Sequence, residues 1–306
     1  MKFGKLYDLE QADFSFPAVH KETERLFSGL PQQKSIETTC EILIGCPAWS
    51  SKDWIGKIYP AGAKSKDFLK YYGKSFDTIE LNTTYYRTPD LATIERWKSM
   101  VPKSFRFCPK ISQQISHYRR LKNVKQLTED FCEAFVHLEE LLGVFFLQLP
   151  PNFSTSETHK LEEFIHLFPK GYQLAVEFRH ESWFAQSSFF DRVCMLLEEK
   201  NMLTCITDVA GRRDVLHQRL TTNEMMLRFV GNDLHPTDFK RIDDWVKQIY
   251  RLAKAGLEKV YFFIHEPDDI DCPELGNYLA KKFKELTGIK VKPLQYKIGG
   301  IQSSLF

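Results

Sequence analysis

Short apolar segments rich in aromatic and β-branched residues recur along this 306-residue chain at intervals of about thirty residues, the length of one strand–helix unit. The eight segments are Glu41–Cys46, Phe76–Asn82, Phe105–Lys110, Val144–Leu149, Gln173–Arg179, Leu203–Asp208, Met225–Val230 and Lys259–His265. Eight alternations of such strands with helical patterns predict an α/β fold, a (β/α)₈ TIM-type barrel of parallel strands. An open doubly wound sheet is the alternative, but no glycine-rich phosphate loop follows the first segment.

The helical pattern is clear in most of the intervening segments. One apolar stripe covers residues 127–142 and predicts a helix ended by Gly143. The sixth unit is the exception, because Ala210–Asn223 has no apolar stripe and predicts a long loop with at most a short helix. Three regions are therefore expected, namely an N-terminal extension over residues 1–40 that wraps the barrel, a single barrel domain over 41–292 and a flexible tail over 293–306.

Composition and charge limit the class of protein. The net charge is only +2, so contact with nucleic acid, which stays possible, would require a local basic patch. The seven cysteines are scattered and form no C-x-x-C pair, which is typical of reduced thiols rather than of disulfides or a thiolate zinc site. No signal peptide and no apolar segment of membrane-spanning length is visible, so we expect a cytoplasmic protein without a membrane partner.

Polar side chains cluster at the C-terminal ends of the predicted strands, where buried parallel strands should be apolar. Glu80 and Asn82 are two residues apart, as are Glu177 and Arg179, so each pair shares one face of its strand. If that face is the lumen, we expect most strands to send a polar group to one mouth, where barrel active sites are built. The whole set is Glu80, Asn82, Lys110, Gln148, Glu177, Arg179, Asp208, Arg228 and His265.

These residue types suggest roles at such a mouth. The candidate catalytic residues are Glu80, Glu177, Asp208 and His265, with Glu177 or Glu80 as general base. The candidate substrate-binding residues are Trp49, Asn82, Tyr85, Lys110, Gln148, Arg179 and Arg228, of which the three cations would neutralise substrate charge. A purely structural ion-pair network is the alternative interpretation of the same charges, and rim packing is the alternative for the aromatic residues.

Three carboxylates and His265 are also a ligand set that divalent metals use. Three nearby cations disfavour a bound metal, however. We therefore expect no metal and no cofactor, and a small anionic or sugar-like ligand held by arginine and lysine.

Several of these strand ends carry motifs of a known family. They are Gly45-Cys46-Pro47-Ala48-Trp49 with Lys52-Asp53-Trp54, Glu80-Leu81-Asn82-Thr83-Thr84-Tyr85-Tyr86, Phe107-Cys108-Pro109-Lys110, Leu147-Gln148-Leu149-Pro150-Pro151-Asn152-Phe153, and Glu177-Phe178-Arg179-His180 with Ser182-Trp183-Phe184. In these motifs the chain resembles the YecE-like family, domain of unknown function 72, over residues 41–270. The resemblance implies a TIM-type barrel, but it implies no established activity and no validated catalytic residues.

Two departures from the family pattern bear on the ligand. The family often opens with Gly-Thr-Ser-Gly-Trp, whereas Cys46, Pro47 and Ala48 stand here. Its last strand often ends in an aromatic residue and two asparagines, whereas His265 and Glu266 stand here. A ligand bound through those asparagines in relatives would be bound differently in this protein.

The chain ends in a glycine pair followed by Gln302-Ser303-Ser304-Leu305-Phe306. This segment resembles the peptide with which bacterial proteins dock on the replicative sliding clamp, typically Gln-Leu-Ser/Asp-Leu-Phe. Leu305 and Phe306 would fill an apolar pocket while Gln302 hydrogen-bonds at its rim. An ordinary frayed terminus is the alternative.

Three functions are compatible with these features. The first is an enzyme, of hydrolase or lyase type, that acts on a phosphorylated, sugar-like or nucleic-acid-derived substrate at the barrel mouth. The second is a metal-dependent phosphodiester hydrolase, by analogy of fold alone. The third is a non-catalytic binding protein that its tail recruits to the sliding clamp.

Overall fold

The computed structural model describes residues 12–29, 40–185 and 187–295, together with Gly4, Leu6, Asp8 and Leu9. Eight strands, each parallel to its neighbours, form one sheet in the order β3-β2-β1-β8-β7-β6-β5-β4. They are β1 Glu41–Cys46, β2 Thr78–Leu81, β3 Arg106–Pro109, β4 Phe145–Gln148, β5 Leu174–Glu177, β6 Leu203–Asp208, β7 Glu224–Val230 and β8 Lys259–His265. Each lies within or next to a predicted segment, because a strand buried on both faces stands out as an apolar run.

The two ends of this sheet, β3 and β4, meet. The amide of Gly143 donates to the carbonyl of Phe107, and the amide of Ile111 donates to that of Phe146, each over 2.8 Å. Residues 107 and 110 of one end also form parallel bridges with residues 142 and 146 of the other. The strands thus form a nearly closed barrel, which confirms the predicted (β/α)₈ TIM-type fold.

Helices cover the outside of the barrel. They are α1 Lys21–Ser28, α2 Phe68–Ser75, α3 Leu91–Met100, α4 Lys125–Ala134, α5 Thr158–Leu167, α6 Ser182–Ala185, α7 Ser187–Glu199, α8 Pro236–Ala255 and α9 Cys272–Thr287. The helices α8 and α9 end at Gly256 and Gly288, whose φ angles of 122° and 73° favour glycine. Among the described residues, none of the helices has both the length and the apolarity that crossing a bilayer requires.

One predicted helix is wrong in its extent. The stripe over residues 127–142 predicted a continuous helix, but α4 ends at Ala134 and a 3₁₀ turn follows over Val136–Leu141. The amides of Phe135 and Leu138 donate to carbonyls three residues earlier, so the α-helical pattern has ended before Glu139, whose φ angle is 52°. The stripe nevertheless faces the core, because its members Phe131, Phe135 and Leu138 are buried.

The sixth unit lacks a helix of its own, and α1 lies beside it. Between β6 and β7 there is one short 3₁₀ turn, Arg213–Val215, in agreement with the predicted long loop. The hydroxyl of Thr23 in α1 donates to the carbonyl of Gln218 over 3.1 Å and accepts from the amide of Leu220 over 2.8 Å. The helix is therefore hydrogen-bonded to the loop that replaces the missing helix.

The same N-terminal segment contacts both neighbouring helices. Arg25 forms an ion pair with Glu198 of α7, and Phe27 is buried in the core between the barrel and its helices. Ahead of α1, Phe16 packs on Trp245 of α8 with ring centroids 4.5 Å apart. The described part of the N-terminal segment thus completes the outer layer of the barrel at its sixth unit.

The barrel interior is filled with side chains rather than hollow. A separate apolar cluster occupies the lumen, and it consists of Leu43, Cys108, Val144, Phe146, Ala175, Leu203, Cys205, Met226, Tyr261 and Phe263. These positions fix which face of each strand points inward, since side chains alternate along a strand. Lumen positions beyond this cluster, toward the C-terminal ends, are the polar ones.

Candidate functional site

The guanidinium of Arg228 in β7 lies at the centre of the polar cluster. It donates two hydrogen bonds to Glu80 of β2, from Nε to Oε2 over 2.8 Å and from Nη2 to Oε1 over 3.0 Å. Its Nη1 donates to both carboxylate oxygens of Glu177 of β5, over 3.1 and 3.2 Å. The Phe146 ring lies 5.0 Å from the guanidinium carbon. Arg228 therefore links strands that are not neighbours in the sheet.

Three further polar groups surround the two carboxylates. His265 of β8 places Nε2 2.9 Å from Oε2 of Glu80, and the side-chain amide of Asn82 donates to Oε1 of Glu80 over 3.0 Å. The hydroxyl of Thr207 in β6 donates to Oε1 of Glu177 over 2.9 Å. The carboxylates are fully buried, and these bonds satisfy the lone pairs that burial would otherwise leave unpaired.

A second tier of polar groups lies closer to the opening. The side chain of Gln148 donates to Oε2 of Glu177 over 2.7 Å and accepts from the ammonium of Lys110 over 3.0 Å. The Lys110 ammonium also lies 5.0 Å from the centroid of the Tyr85 ring, within cation–π range. Arg179 comes within 3.8 Å of Glu177. Lys110 and Tyr85 are half-buried, so this tier is the part of the cluster that borders solvent.

The electrostatic balance keeps both glutamates ionised. Burial opposes the charged form of Glu80, but Arg228 and then His265 outweigh it and hold its pKa well below the usual value. Burial likewise opposes ionisation of Glu177, and Arg228 with Arg179 lowers its pKa overall. Each carboxylate is therefore a fixed negative charge rather than a group that exchanges protons near neutral pH.

Lys110 behaves differently. Burial, followed by repulsion from Arg228, lowers the pKa of Lys110 to about 8. Burial also lowers the pKa of the adjacent His117 to about 4, with repulsion from Lys110 and Arg179 as further causes. Lys110 is thus mostly charged at neutral pH but close to its titration point, whereas His117 is neutral there.

The structure brings together most of the residues that the sequence singled out. Hydrogen bonds and ion pairs join Glu80, Asn82, Lys110, Gln148, Glu177, Arg179, Arg228 and His265, and Tyr85 lies over Lys110. The intervening Leu81 and Phe178 pack in the core between the strands and the helices, called the outer core below, as the alternation of side chains predicts. Whether these residues bind or transform a ligand stays a prediction.

The expected position of Asp208 at the shared mouth is wrong. Its carboxylate accepts from Nε1 of Trp245 over 2.6 Å and from Arg241 over 3.0 Å, both on helix α8, and it pairs with Arg213. Thr207 occupies the lumen side of β6 instead, so the next residue must point toward the helices. Asp208 belongs to a second polar cluster that fastens α8 to the sheet.

Two further predictions concern residues that do not take part in this hydrogen-bonded cluster or cannot be compared with it. Trp49 packs edge-on against Trp97 of α3, with ring centroids 5.7 Å apart, and it borders the outer core. The predicted docking residues Gln302, Leu305 and Phe306 lie outside the described residues, so clamp binding stays a prediction.

Sequence reasoning missed two members of the cluster. Thr207 bonds Glu177, and Phe146 lies under Arg228 and 5.7 Å from the ammonium of Lys110. Phe146 is two residues before Gln148 on the same face of β4, so strand alternation could have identified it. Threonine in a buried strand is too common to be a signal by itself.

In the described part of the chain, no three His, Cys, Asp or Glu side chains gather closely enough to hold a metal ion. The guanidinium of Arg228 lies between Glu80 and Glu177, where a cation shared by the two carboxylates would have to bind. The arrangement instead has three cationic side chains, Lys110, Arg179 and Arg228, against two carboxylates.

Known proteins are similar in sequence to most of this chain. UPF0759 protein YecE of Escherichia coli (strain K12) is 28% identical over 276 residues, which cover 83% of this chain and 98% of that protein. UPF0759 protein YunF of Bacillus subtilis (strain 168) is 25% identical over 237 residues, which cover 71% of this chain and 80% of that protein.

Solved structures agree with the fold. The crystal structure of a DUF72 family protein from Thermotoga maritima MSB8 superimposes with a TM-score of 0.60 at 25% sequence identity, covering 80% of this chain and 98% of that one. Another, from Enterococcus faecalis V583, gives a TM-score of 0.65 at 19% identity, covering 79% and 95% of the two chains. The family model described as protein of unknown function DUF72 matches residues 43–296. The chain therefore belongs to the DUF72 family.

Proposed function

We propose that the barrel mouth binds a small anionic ligand and that the protein is an enzyme acting on a phosphorylated, sugar-like or nucleic-acid-derived substrate. The observation that carries the proposal is the excess of positive charge in the second tier. Arg228 is bonded to both carboxylates, while the ammonium of Lys110 donates to the neutral amide of Gln148. A half-buried ammonium with a neutral partner has both the charge and the donors that an incoming anion requires.

In this proposal the residues of the two tiers have different roles. Glu80 and Glu177 are weak bases, since the pKa of each is lowered and each is bonded to Arg228. They serve to hold the cations and polar groups in place before the substrate arrives. Lys110, whose pKa is about 8, is better matched to proton exchange near neutral pH, so we assign it both charge neutralisation and general acid–base catalysis.

Sulfate binding at different pH values tests the proposal, because sulfate does not itself titrate in this range. Calorimetric titration of the wild-type protein is expected to show an affinity that falls as the pH rises through about 8, where Lys110 loses its charge. Lys110→Met should weaken binding at pH 7 by about ten- to a hundredfold, the worth of a charge-assisted hydrogen bond. Lys110→Arg should retain binding and lose the decrease above pH 8, since arginine stays charged.

Lys281, exposed on helix α9, provides a matched control, and Lys281→Met should leave the affinity for sulfate unchanged. The proposal is abandoned if the wild-type protein does not bind sulfate or if Lys110→Met binds it as tightly. A stoichiometric zinc or manganese ion in the purified protein would favour the metal-dependent hydrolase instead.

A further inference from the structure

The loop that follows β3 gives the barrel mouth a strongly basic rim. No Asp or Glu occurs between Glu95 and Glu129, and the loop over residues 111–124 carries Arg119, Arg120 and Lys122. Arg119 and Lys122 are exposed. The net charge of the whole chain is only +2, so this concentration of positive charge is local rather than general.

Exposed aromatic rings lie beside these charges. Tyr86 is 73% exposed and Tyr118 is 66% exposed, values that are high for such large side chains. Both lie around Tyr85. The rings of Tyr85 and Tyr86 are 4.9 Å apart, and burial followed by the neighbouring Tyr86 and Tyr118 raises the pKa of Tyr85. Since Tyr85 lies over Lys110, the aromatic surface continues directly into the second tier of the site.

The loop is held firmly in its conformation. Leu121 is buried, its amide donates to the carbonyl of Ile115 over 3.0 Å, and it adopts a left-handed φ angle of 64°. Arg120 forms an ion pair with Glu157 and donates to the side chain of Asn152 over 2.8 Å. A surface fixed in this way loses little conformational entropy when it binds a partner.

From this juxtaposition of exposed tyrosines, basic side chains and the anion-binding tier, we infer that the ligand is a single-stranded nucleic acid with a terminal phosphate. The phosphate binds at Lys110 and Arg179, and unpaired bases stack on Tyr86 and Tyr118 while Arg119 and Lys122 contact the backbone. A duplex would leave the exposed ring faces unused because its bases are already stacked. This inference rests on the proposed anion site and names the chemical class of its substrate.

Fluorescence anisotropy with a labelled single-stranded oligonucleotide of about ten nucleotides carrying a terminal phosphate tests the stacking part of the inference. Tyr86→Ala combined with Tyr118→Ala should weaken binding by about tenfold or more, since each stacked base contributes substantially. Tyr86→Phe combined with Tyr118→Phe should bind as the wild-type protein does, because stacking requires the ring and not the hydroxyl. Equal affinity of the alanine and phenylalanine variants would contradict stacking.

Charge reversal tests the backbone contacts. Arg119→Glu combined with Lys122→Glu should weaken binding by about tenfold and make the affinity less sensitive to salt. Lys247→Glu combined with Lys281→Glu, on the outer helices α8 and α9, makes the same change in net charge and should alter the affinity less than about twofold. Equal losses in both variants would show non-specific attraction and overturn the inference.

Comparisons with other ligands separate this inference from the proposed function. Omitting the terminal phosphate should weaken binding to the wild-type protein but have little effect on Lys110→Met. Tighter binding of a duplex of the same sequence, or of anionic phosphatidylserine vesicles, would overturn the single-strand assignment. If sulfate binds in a Lys110-dependent manner and the oligonucleotide does not, the inference fails and the proposed function stands. If Lys110→Met alters neither ligand, the proposed function itself fails.

Discussion

Arg228 allows two carboxylates to stay ionised inside the barrel. Both Glu80 and Glu177 are at most 1% exposed, and each takes two hydrogen bonds from the same guanidinium. Burying a carboxylate without a counter-charge is costly, and removing one partner of a buried pair leaves that cost uncompensated. The residue is therefore a structural requirement of the site as well as part of it.

Arg228→Met is expected to lower the free energy of unfolding at pH 7 by about 3 kcal/mol, measured by urea denaturation. In the wild-type protein the folded-state pKa of each glutamate is depressed, so their contribution to stability is present above the unfolded-state pKa and is lost as the pH falls. Without the guanidinium, burial raises the pKa of both carboxyl groups. Lowering the pH then protonates them and reduces the destabilisation of the variant. The difference between the two proteins should therefore shrink between pH 7 and pH 5; a difference that grows would contradict this account.

Asp208 provides the complementary case. Asp208→Asn is expected to lower the free energy of unfolding by about 3 kcal/mol, because Arg213 loses its buried carboxylate partner and Arg241 keeps only Asp238 of its two. The affinity for sulfate, measured on the folded variant, should not change, since Asp208 faces α8 rather than the mouth. A large loss of affinity for sulfate without a loss of stability would show instead that Asp208 takes part in ligand binding.

The alternation of side chains along a strand shows which residues share a face, but it does not show which face points into the barrel. Glu80 with Asn82 and Glu177 with Arg179 are paired at a spacing of two, and this repetition identified the lumen face of β2 and β5. Strand β6 ends in a single charged residue, and both of its faces are buried, so nothing in its sequence distinguishes the two directions. Asp208 was misplaced for that reason.

At the scale of the element, α1 substitutes for a helix that the sixth unit lacks. Phe27→Ala is expected to lower the free energy of unfolding by about 3 kcal/mol, since it removes a buried aromatic side chain that packs between the sheet and the helices. Met195→Ala, at a residue of α7 that is 63% exposed, is the control and should change the stability by less than about 0.5 kcal/mol. If Phe27→Ala lowers the free energy of unfolding in urea denaturation by as little as the control does, α1 is only loosely attached.

The sequence predicts elements best where they are long and periodic. Strands β1 to β8 were identified from their patterns, whereas the 3₁₀ turn after α4 reflects a change in backbone hydrogen bonding that no side-chain period records. The helix α1 has eight residues, and such a short helix owes its stability to tertiary packing rather than to intrinsic propensity. Its position could not be read from the sequence, because its hydrogen-bond partner Gln218 lies 195 residues away.

At the scale of the whole molecule, the eightfold alternation was sufficient to predict the barrel, since few other arrangements bury eight parallel strands on both faces. The identity of the ligand could not be predicted in the same way. Fold-level similarity does not determine chemistry, and the site depends on charges such as Lys110 whose state is set by burial. The sequence supplied the candidates, and the geometry divided them between fully buried residues around Arg228 and the second tier, which borders solvent.

The substitution of α1 for the sixth helix also affects how the protein is made. On the ribosome, α1 is synthesised before any strand of the barrel, but the loop to which Thr23 bonds follows 195 residues later. At elongation rates of roughly 5–20 residues per second, the helix waits on the order of 10 to 40 seconds for its binding surface. During that interval Phe27 has no core to enter, so the nascent chain exposes an apolar side chain that the finished protein hides.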